Sequence, residues 1–190
     1  MLLVLITGAL RRHLTKHKQP LDQCIRIVVP VNARKKGEPI KVHNKIGMLS
    51  IELPVHLKKM EDRIIYIVGK TKALKHSIEP VLIYNLLHIV ADVIPQSIEQ
   101  KFSNFLGTKI AGVVTNVPGP KEAIYLAGYK VKDIMFWVPQ TNPLGIGISI
   151  ISYNNRVCLG VVTDENLVKN PDEIIKGYYK EFETMRKLLH

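Results

Sequence analysis

Two consecutive asparagines, Asn154 and Asn155, separate two apolar runs near the end of the chain and constrain the fold more tightly than any other feature. The runs, GIGISIISY and RVCLGVVTD, have the length and the β-branched content of strands. A two-residue hairpin turn requires positive φ at both central positions, and asparagine tolerates that conformation. The pattern therefore predicts an antiparallel hairpin. Glycine and serine alternate with isoleucine along its first strand, so another backbone or an extended ligand could approach one face closely.

Elsewhere the hydrophobic periodicity predicts further strands and several helices. The expected strands are CIRIVVPV, IGMLSIELPV, KIAGVVTNV, AIYLAG and VKDIMFWVP. The expected helices cover residues 1–17, 60–77, 80–93, 95–106 and 172–188. Neither a repeat nor a low-complexity linker interrupts the chain, so we predict a single domain over residues 1–190. The predicted fold class is α+β: a mixed, mostly antiparallel sheet with helices packed on it as an α/β sandwich.

The chain is strongly basic, which implies an anionic partner. Its 190 residues include 27 Lys and Arg against 16 Asp and Glu, a formal net charge of +11. Phosphorylated cofactors, acidic lipid surfaces and nucleic acids all fit this charge. Only 6% of the residues are aromatic, and the basic residues do not alternate with stacking rings, which argues against nucleic acid.

The cysteines and the apolar start of the chain bear on its location. Cys24 and Cys158 lie far apart, each within an apolar run, which is typical of small core residues in a reducing compartment. The opening MLLVLITGAL is too short to cross a bilayer, and its positive charges follow the apolar run. We therefore predict a buried first helix and a cytoplasmic protein, with peripheral contact to a membrane as the open alternative.

The segment GVVTNVPGPKEAIYLAG, residues 112–128, ends an apolar strand with a polar pair and then turns rigidly. A purely structural hairpin is made more simply from Asn-Gly or Asp-Gly. Thr115 and Asn116 are therefore candidates for contact with a ligand, held in place by the Pro118-Gly119-Pro120 turn. The alternative is that Asn116 caps the turn by bonding its own backbone, and the residues alone leave both interpretations open.

His13 and His17 lie four residues apart on the predicted first helix, which is a spacing that suits metal ligands. Lys16 and Lys18 are unfavourable neighbours for a cation, and the sequence shows no third ligand. We therefore predict a solvated helix end here and no metal site.

Four segments, taken in chain order, resemble the carboxy-terminal half of the wax ester synthase/diacylglycerol acyltransferase family. They are CIRIVVPVNAR, HNKIGMLSIELPV, VVTNVPGPKEAIYLAGYKV and NPLGIGISIISYNNRVCLGVVTDENLVKNPDEI. The opening LVLITGALRRHL also resembles the helix with which that half begins, so the resemblance covers nearly the whole chain. It implies the fold of chloramphenicol-acetyltransferase-like enzymes, in which two lobes enclose a tunnel for acyl-CoA and an alcohol.

The catalytic motif of that family, His-His-x-x-x-Asp-Gly, is absent from this sequence. Its second histidine acts as general base on the acceptor hydroxyl, which requires a neutral imidazole within hydrogen-bond reach. The nearest match is LHIVADVI, where His88 and Asp92 have the right spacing but Leu87 and Val93 replace the first histidine and the glycine. The resemblance therefore implies one lobe of an acyl-CoA-dependent O-acyltransferase that holds no catalytic residue and is inactive without an amino-terminal lobe.

The resemblance also implies which residues of the corner would bind acyl-CoA. Thr115 and Asn116 would end their strand at the tunnel and hydrogen-bond the thioester oxygen or the pantetheine amides, with Gly119 in the turn. Ser149, on the glycine-rich strand, is a further candidate. A small residue tolerated where two segments pack closely is the simpler explanation for that serine.

Three consecutive basic residues, Arg34, Lys35 and Lys36, would hold the phosphates of CoA or attach the protein to an anionic membrane. A lone lobe would also expose an apolar wall, so we expect self-association, membrane adsorption or poor solubility without a partner. The alternative function is a non-catalytic binding or assembly module, in which a homodimer replaces the missing half.

Overall fold

The computed structural model describes residues 1–32, 46–75, 109–139 and 144–189. The helices in these ranges are α1 (Leu2–Lys16), α2 (Met60–Lys75) and α3 (Asp172–Leu188). The strands are β1 (Ile25–Asn32), β2 (Ile46–Leu53), β3 (Gly112–Pro118), β4 (Tyr125–Leu126), β5 (Tyr129–Lys130), β6 (Ile146–Tyr153) and β7 (Arg156–Thr163). The helices predicted over residues 80–93 and 95–106, together with Arg34, Lys35 and Lys36, lie outside the described residues.

Five of the strands form one mixed sheet in the order β2-β1-β3-β6-β7. The outer pairs, β1–β2 and β6–β7, are antiparallel ladders of eight residue pairs each. The central contacts are parallel, with seven residue pairs between β3 and β6 and two between β1 and β3. The predicted α+β class and mixed sheet are confirmed. Because parallel neighbours need crossover connections, the chain passes through β2 and α2 before it returns beside β1 as β3.

The hairpin predicted from the two asparagines is confirmed. Asn154 and Asn155 have φ of 45° and 60°, and they connect β6 to β7 with Tyr153 paired to Arg156. This turn brings the start of β7 back along β6 and gives the sheet one of its edges.

The segment between β3 and β6 departs from the prediction in two places. AIYLAG supplies not a strand of the main sheet but β4, which pairs only with β5 in a small exposed hairpin. That hairpin turns through positive φ at Ala127 and Gly128. Residues 131–139, predicted as a strand from VKDIMFWVP, form no strand.

Side chains, rather than a backbone ladder, hold residues 131–139 against β6. The hydroxyl of Tyr153 donates to the carbonyl of Val131 at 2.8 Å, and the hydroxyl of Ser149 donates to the carbonyl of Phe136. These bonds occupy carbonyls that a strand would offer to a neighbouring strand, so the apolar alternation of this segment did not indicate its structure.

Residues of β6 divide between two layers because their side chains alternate across the sheet. Ile148 and Ile150 face the helices and belong to one core with Leu5, Ile67 and Ile174 of α1, α2 and α3. Ser149 and Tyr153 face the opposite side, where residues 131–139 cover them. The sheet therefore lies between a helical layer and an extended segment.

Small residues let α1 and α3 approach closely. A Cβ atom on Gly177 of α3 would lie 3.2 Å from the Cα of Ala9, and one on Gly8 of α1 would overlap the carboxylate of Glu181. The first half of α1 is buried, as predicted for MLLVLITGAL. None of the helices in the described ranges has the length and apolar content that a membrane crossing requires.

Candidate functional site

The polar pair that the sequence singled out lies at the end of β3. Thr115 is partly buried, Asn116 is exposed, and β3 runs parallel to β6 with Thr115 opposite Ser149. Among the described residues, neither the Thr115 nor the Asn116 side chain has a hydrogen-bond partner. Asn116 therefore does not form the local cap that the sequence also allowed, and both side chains have free hydrogen-bonding groups.

The turn after this pair is tied to the end of β6. The backbone amide of Gly119 donates to the hydroxyl of Ser152 at 3.3 Å, and the amide of Asn154 donates to the carbonyl of Pro120 at 3.0 Å. A Cβ atom on Gly119 would overlap the carbonyl oxygen of Ser152. Gly119 therefore allows this close approach, and the bonds hold Thr115 and Asn116 in a fixed position.

Among the predicted site residues that the structure describes, Ser149 differs from the rest because it is fully buried. Its hydroxyl donates to the carbonyl of Phe136 and lies 3.4 Å from the carbonyl of Gly160. The structure thus brings Ser149 beside Thr115 but uses its hydroxyl within the sheet layer. A binding role for Ser149, like those of Thr115, Asn116 and Gly119, stays a prediction.

Large apolar side chains are exposed around this corner and on the segment that follows it. Leu126 and Tyr129 of the β4–β5 hairpin are 74% and 81% exposed, and Trp137 is 57% exposed. Val117 of β3 and Val157 of β7 are also exposed, but their partners in β6 are the consecutive residues Ile151 and Ser152, so the two valines lie on opposite faces of the sheet. We call Leu126, Tyr129 and Trp137 the apolar surface. Because exposed apolar groups often mark interaction sites, this surface is a candidate for contact with another segment or chain.

A second site lies between the helices, where basic side chains line a cleft of about 600 Å³. We call it the basic cleft, and its cationic residues include Arg11, Arg12, Lys58, Arg63, Lys176 and Lys180. The carboxylate of Glu181 lies in its wall and accepts from Arg12 Nε at 2.6 Å and from an Arg63 terminal nitrogen at 2.5 Å.

Arg63 is the most enclosed charge of the cleft. Its side chain and that of Glu181 are each only 4% exposed. Burial lowers the pKa of Arg63 from its ordinary value, Glu181 opposes that shift, and the charges of Arg11 and Arg12 add to it. The sequence pattern could not predict this group, because Arg11 and Arg12 lie in α1, Arg63 in α2 and Glu181 in α3.

Glu173 joins α3 to the end of α1 beside this cleft. Its carboxylate lies 2.6 Å from Lys16 Nζ, 2.7 Å from His17 Nε2 and 3.2 Å from His13 Nδ1. Hydrogen bonds from Lys16 first and then His17 lower the pKa of Glu173 to about 2. Sequence analysis missed Glu173 because nothing local connects it with α1.

The carboxylate of Glu173 also lies close enough to His13 and His17 to be a third metal ligand. His13, His17 and Glu173 place one ligand atom each within 4.8 Å of one another, so Glu173 is the third candidate ligand that was not evident in the sequence. The ammonium of Lys16 on Glu173 still opposes a bound cation, by electrostatic repulsion. The absence of a metal site stays a prediction.

The sequence of this chain matches the model of a known protein family. The model of the family described as WS/DGAT C-terminal domain matches residues 42–186. The chain belongs to this family. The predicted resemblance to wax ester synthases and diacylglycerol acyltransferases is thereby confirmed.

Curated relatives of this WS/DGAT C-terminal domain are longer than it is. A probable diacylglycerol O-acyltransferase of Mycobacterium tuberculosis is 23% identical over 92% of this chain and 39% of its own length. Wax ester synthase/diacylglycerol acyltransferase 2 of Arabidopsis thaliana is 27% identical over 73% of this chain and 29% of its own length. The chain thus spans about two fifths or less of these relatives.

A solved structure shares the fold. The wax ester synthase/diacylglycerol acyltransferase from Marinobacter aquaeolei VT8 superposes with a TM-score of 0.62 at 17% sequence identity. The match covers 94% of this chain and 40% of that one. The predicted acyltransferase fold is confirmed at the level of architecture.

One histidine of this WS/DGAT C-terminal domain has features of a general base. The His13 side chain is 10% exposed, and a cavity of about 760 Å³ beside it is lined in part by Leu10, Leu14 and Ile146. Burial and then the charge of His17 lower the pKa of His13, which favours the neutral ring. Nδ1 lies 3.2 Å from the Glu173 carboxylate, which opposes this lowering of the pKa, but the contact lacks the geometry of a hydrogen bond. The imidazole therefore lacks the aligned carboxylate bond that orients a general base.

Proposed function

We propose that this chain is the carboxy-terminal lobe of an O-acyltransferase that transfers an acyl group from acyl-CoA to a long-chain alcohol or a diacylglycerol. The product would be a wax ester or a triacylglycerol. The family match over residues 42–186 carries the proposal. The names of the relatives, which include diacylglycerol O-acyltransferase and wax ester synthase, supply the reaction class. The lobe would form one wall of the acyl-CoA tunnel, and an amino-terminal lobe would supply the general base.

In this reaction the acceptor hydroxyl attacks the thioester carbon and gives its proton to the histidine of the amino-terminal lobe. The carbon–sulfur bond then breaks, and CoA leaves as its thiol after taking up that proton. Negative charge develops on the thioester oxygen, and a fixed hydrogen-bond donor there stabilises the transition state. Thr115 and Asn116 suit this role because their polar groups are unpaired within the described residues and the turn behind them is fixed.

A non-catalytic binding or assembly module is the second candidate. The apolar surface favours it as well, because a second copy of the chain could cover Leu126, Tyr129 and Trp137 in place of an amino-terminal lobe. The two candidates differ in one respect: only the acyltransferase lobe gains chemistry when the missing lobe is added.

Reconstitution separates the candidates. The chain is mixed with an amino-terminal lobe that carries His-His-x-x-x-Asp-Gly, and thiol release from palmitoyl-CoA is followed with a long-chain alcohol or a diacylglycerol as acceptor. We expect release only from the mixture. A mixture of two folded lobes that associate without releasing thiol would favour the assembly module. Activity of this chain alone would contradict our placement of the base, and loss of that activity in His13→Gln would identify His13 instead.

Within the reconstituted enzyme, Thr115→Val and Asn116→Ala test the corner. Removal of one donor to a developing oxyanion typically lowers kcat about 10²-fold to 10³-fold, and we expect a loss of that order for the residue that contacts the thioester oxygen. Thr184→Val, on the exposed side of α3, is the matched control and should leave kcat unchanged. If both corner variants retain full kcat and KM, Thr115 and Asn116 do not contact the acyl donor.

A further inference from the structure

The basic cleft contains more positive charge than its carboxylates can balance. Arg12 and Arg63 both bond Glu181, while Arg11 donates to the carbonyl of Val55, which carries no charge. Seven Lys and Arg residues line the cleft against two carboxylates, Glu173 and Glu181, and of these cations only Arg63 is buried. Because like charges gathered in one cleft repel one another, this excess indicates that an anion belongs there.

An unpaired donor supports the same conclusion independently. Arg63 lines the cleft, its side chain is 4% exposed, and its Nε has no hydrogen-bond partner within the described residues. A buried donor left without an acceptor destabilises the folded protein, so such groups usually meet a ligand or water. The planar guanidinium fork matches the oxygen spacing of phosphates and carboxylates.

The rim of the cleft selects for more than one negative charge. Lys58, Lys176 and Lys180 line it and are exposed, and none of them takes part in an ion pair in the described part of the chain. The other lysine of the lining, Lys16, is bound to Glu173. Guanidiniums in the wall and free ammonium groups at the rim suit a ligand with several phosphate oxygens better than a single carboxylate.

We propose that the basic cleft between α1, α2 and α3 binds a phosphate-bearing ligand through Arg63 in its wall and Lys58, Lys176 and Lys180 at its rim. Two sources carry the required group: the phosphates of CoA and the headgroup of an anionic phospholipid. The CoA source rests on the proposed function, whereas the lipid source does not. The assignment uses residues other than Arg34, Lys35 and Lys36.

Calorimetric titration of the full chain tests the soluble source. CoA, 3′-dephospho-CoA and pantetheine share one end of the molecule and differ in phosphate content. We expect affinity to fall from CoA to 3′-dephospho-CoA, no binding of pantetheine, and weaker binding at higher salt. Cosedimentation with phosphatidylglycerol vesicles, compared with phosphatidylcholine vesicles, tests the lipid source. Binding in either experiment identifies the source, and it supports the cleft when the cleft variants weaken it and the control variants do not.

Charge-matched variants show whether the cleft itself is responsible. Lys176→Gln/Lys180→Gln removes two exposed rim lysines and should weaken binding about tenfold, because two charged donors to the phosphate oxygens are lost. Lys72→Gln/Lys132→Gln removes the same charge from exposed positions that do not line the cleft and should leave affinity within about twofold.

Three results would overturn the assignment: equal weakening by both double variants, pantetheine binding as tightly as CoA, or no binding of any phosphate-bearing ligand. None of these measurements involves acyl transfer. If the chain reconstitutes an active enzyme but binds no phosphate in the cleft, only this inference is wrong. If the chain binds phosphate in the cleft but never reconstitutes activity, only the proposed function is wrong.

Discussion

One carboxylate, that of Glu181, connects the three described helices. It lies on α3 and accepts from Arg12 of α1 and from Arg63 of α2. The ion pair with Arg63 is almost fully enclosed, so loss of the carboxylate would leave a buried guanidinium without its counter-charge.

Glu181→Ala should therefore lower the free energy of unfolding by about 3 kcal/mol, the scale for removal of one partner of a buried ion pair. Glu183→Ala is the control on the same helix, because Glu183 pairs with Arg186 on the exposed side. Exposed pairs contribute about 0–1 kcal/mol, so the control should unfold almost as the parent does. Urea unfolding followed by circular dichroism measures both free energies of unfolding. Equal losses in the two variants would show that Glu181 contributes no more than an exposed ion pair.

Glu173 makes the contact between α1 and α3 sensitive to acid. Lys16 and His17 lower its pKa from 4.5 to about 2, so the carboxylate stabilises the fold only when it is ionised. The contribution is complete above about pH 4.5 and is lost as the pH falls toward 2. In Glu173→Gln, unfolding midpoints measured from pH 6 to pH 2.5, a range of about 3.5 units, should approach those of the parent as the acid increases. A constant gap between the two proteins would contradict the assignment.

At the scale of elements, the approach of α1 to α3 reverses the usual preference of a helix for alanine over glycine. Gly8 has no room for a methyl group because Glu181, held by two arginines, lies against it. Gly69 of α2 meets nothing within 4 Å of such a group. Gly69→Ala should therefore stabilise the protein by roughly 0.5–1 kcal/mol, the ordinary gain in a helix interior.

Gly8→Ala should instead destabilise the protein by roughly 1–3 kcal/mol, since the methyl group must displace the Glu181 carboxylate from its donors. The comparison uses the same substitution in two helices of one protein, so differences in propensity cancel. Thermal or urea unfolding of the pair measures it. A gain at position 8 that equals the gain at position 69 would mean that α1 and α3 do not pack as closely as described.

Elements whose conformation depends on a few consecutive residues could be predicted from the sequence. Elements whose conformation depends on contacts with distant segments could not. The Asn154-Asn155 hairpin was predictable because its turn depends on two residues whose φ values asparagine tolerates. VKDIMFWVP has the same apolar alternation as a strand, yet its carbonyls bond side chains of β6. Periodicity reports which side chains are apolar, and it does not report whether a neighbouring strand is present.

Candidate site residues were likewise predictable only where the signal lies in a few consecutive residues. Thr115 and Asn116 could be singled out because a polar pair before a rigid turn is visible in a few consecutive residues. The groups around Glu173 and Glu181 could not, because α3 meets α1 only in the folded chain. The spacing of His13 and His17 correctly indicated that the two side chains lie on one face of a helix. The carboxylate beside them, that of Glu173, comes from the other end of the sequence and could not be predicted.

At the scale of the whole molecule, the chain combines a partial coverage of its relatives with exposed apolar side chains. The chain spans 39% of a diacylglycerol O-acyltransferase relative, and it leaves Leu126, Tyr129 and Trp137 largely in water. In a longer relative, further residues are available to cover such a surface. A chain with an uncovered apolar surface should bind to copies of itself.

Light scattering and binding of a hydrophobic dye should therefore detect association of the chain by itself. Leu126→Ser/Tyr129→Ser should reduce both, because it removes two of the most exposed apolar side chains of the apolar surface. Leu189→Ser is the matched control: Leu189 is 74% exposed, as Leu126 is, but it follows α3, away from the β4–β5 hairpin in the chain. It should leave association unchanged, because Leu189 does not belong to the apolar surface and single exposed apolar residues are common on monomers. A chain that remains monomeric without dye binding, or one that responds equally to both variants, would show that this surface is not an interface.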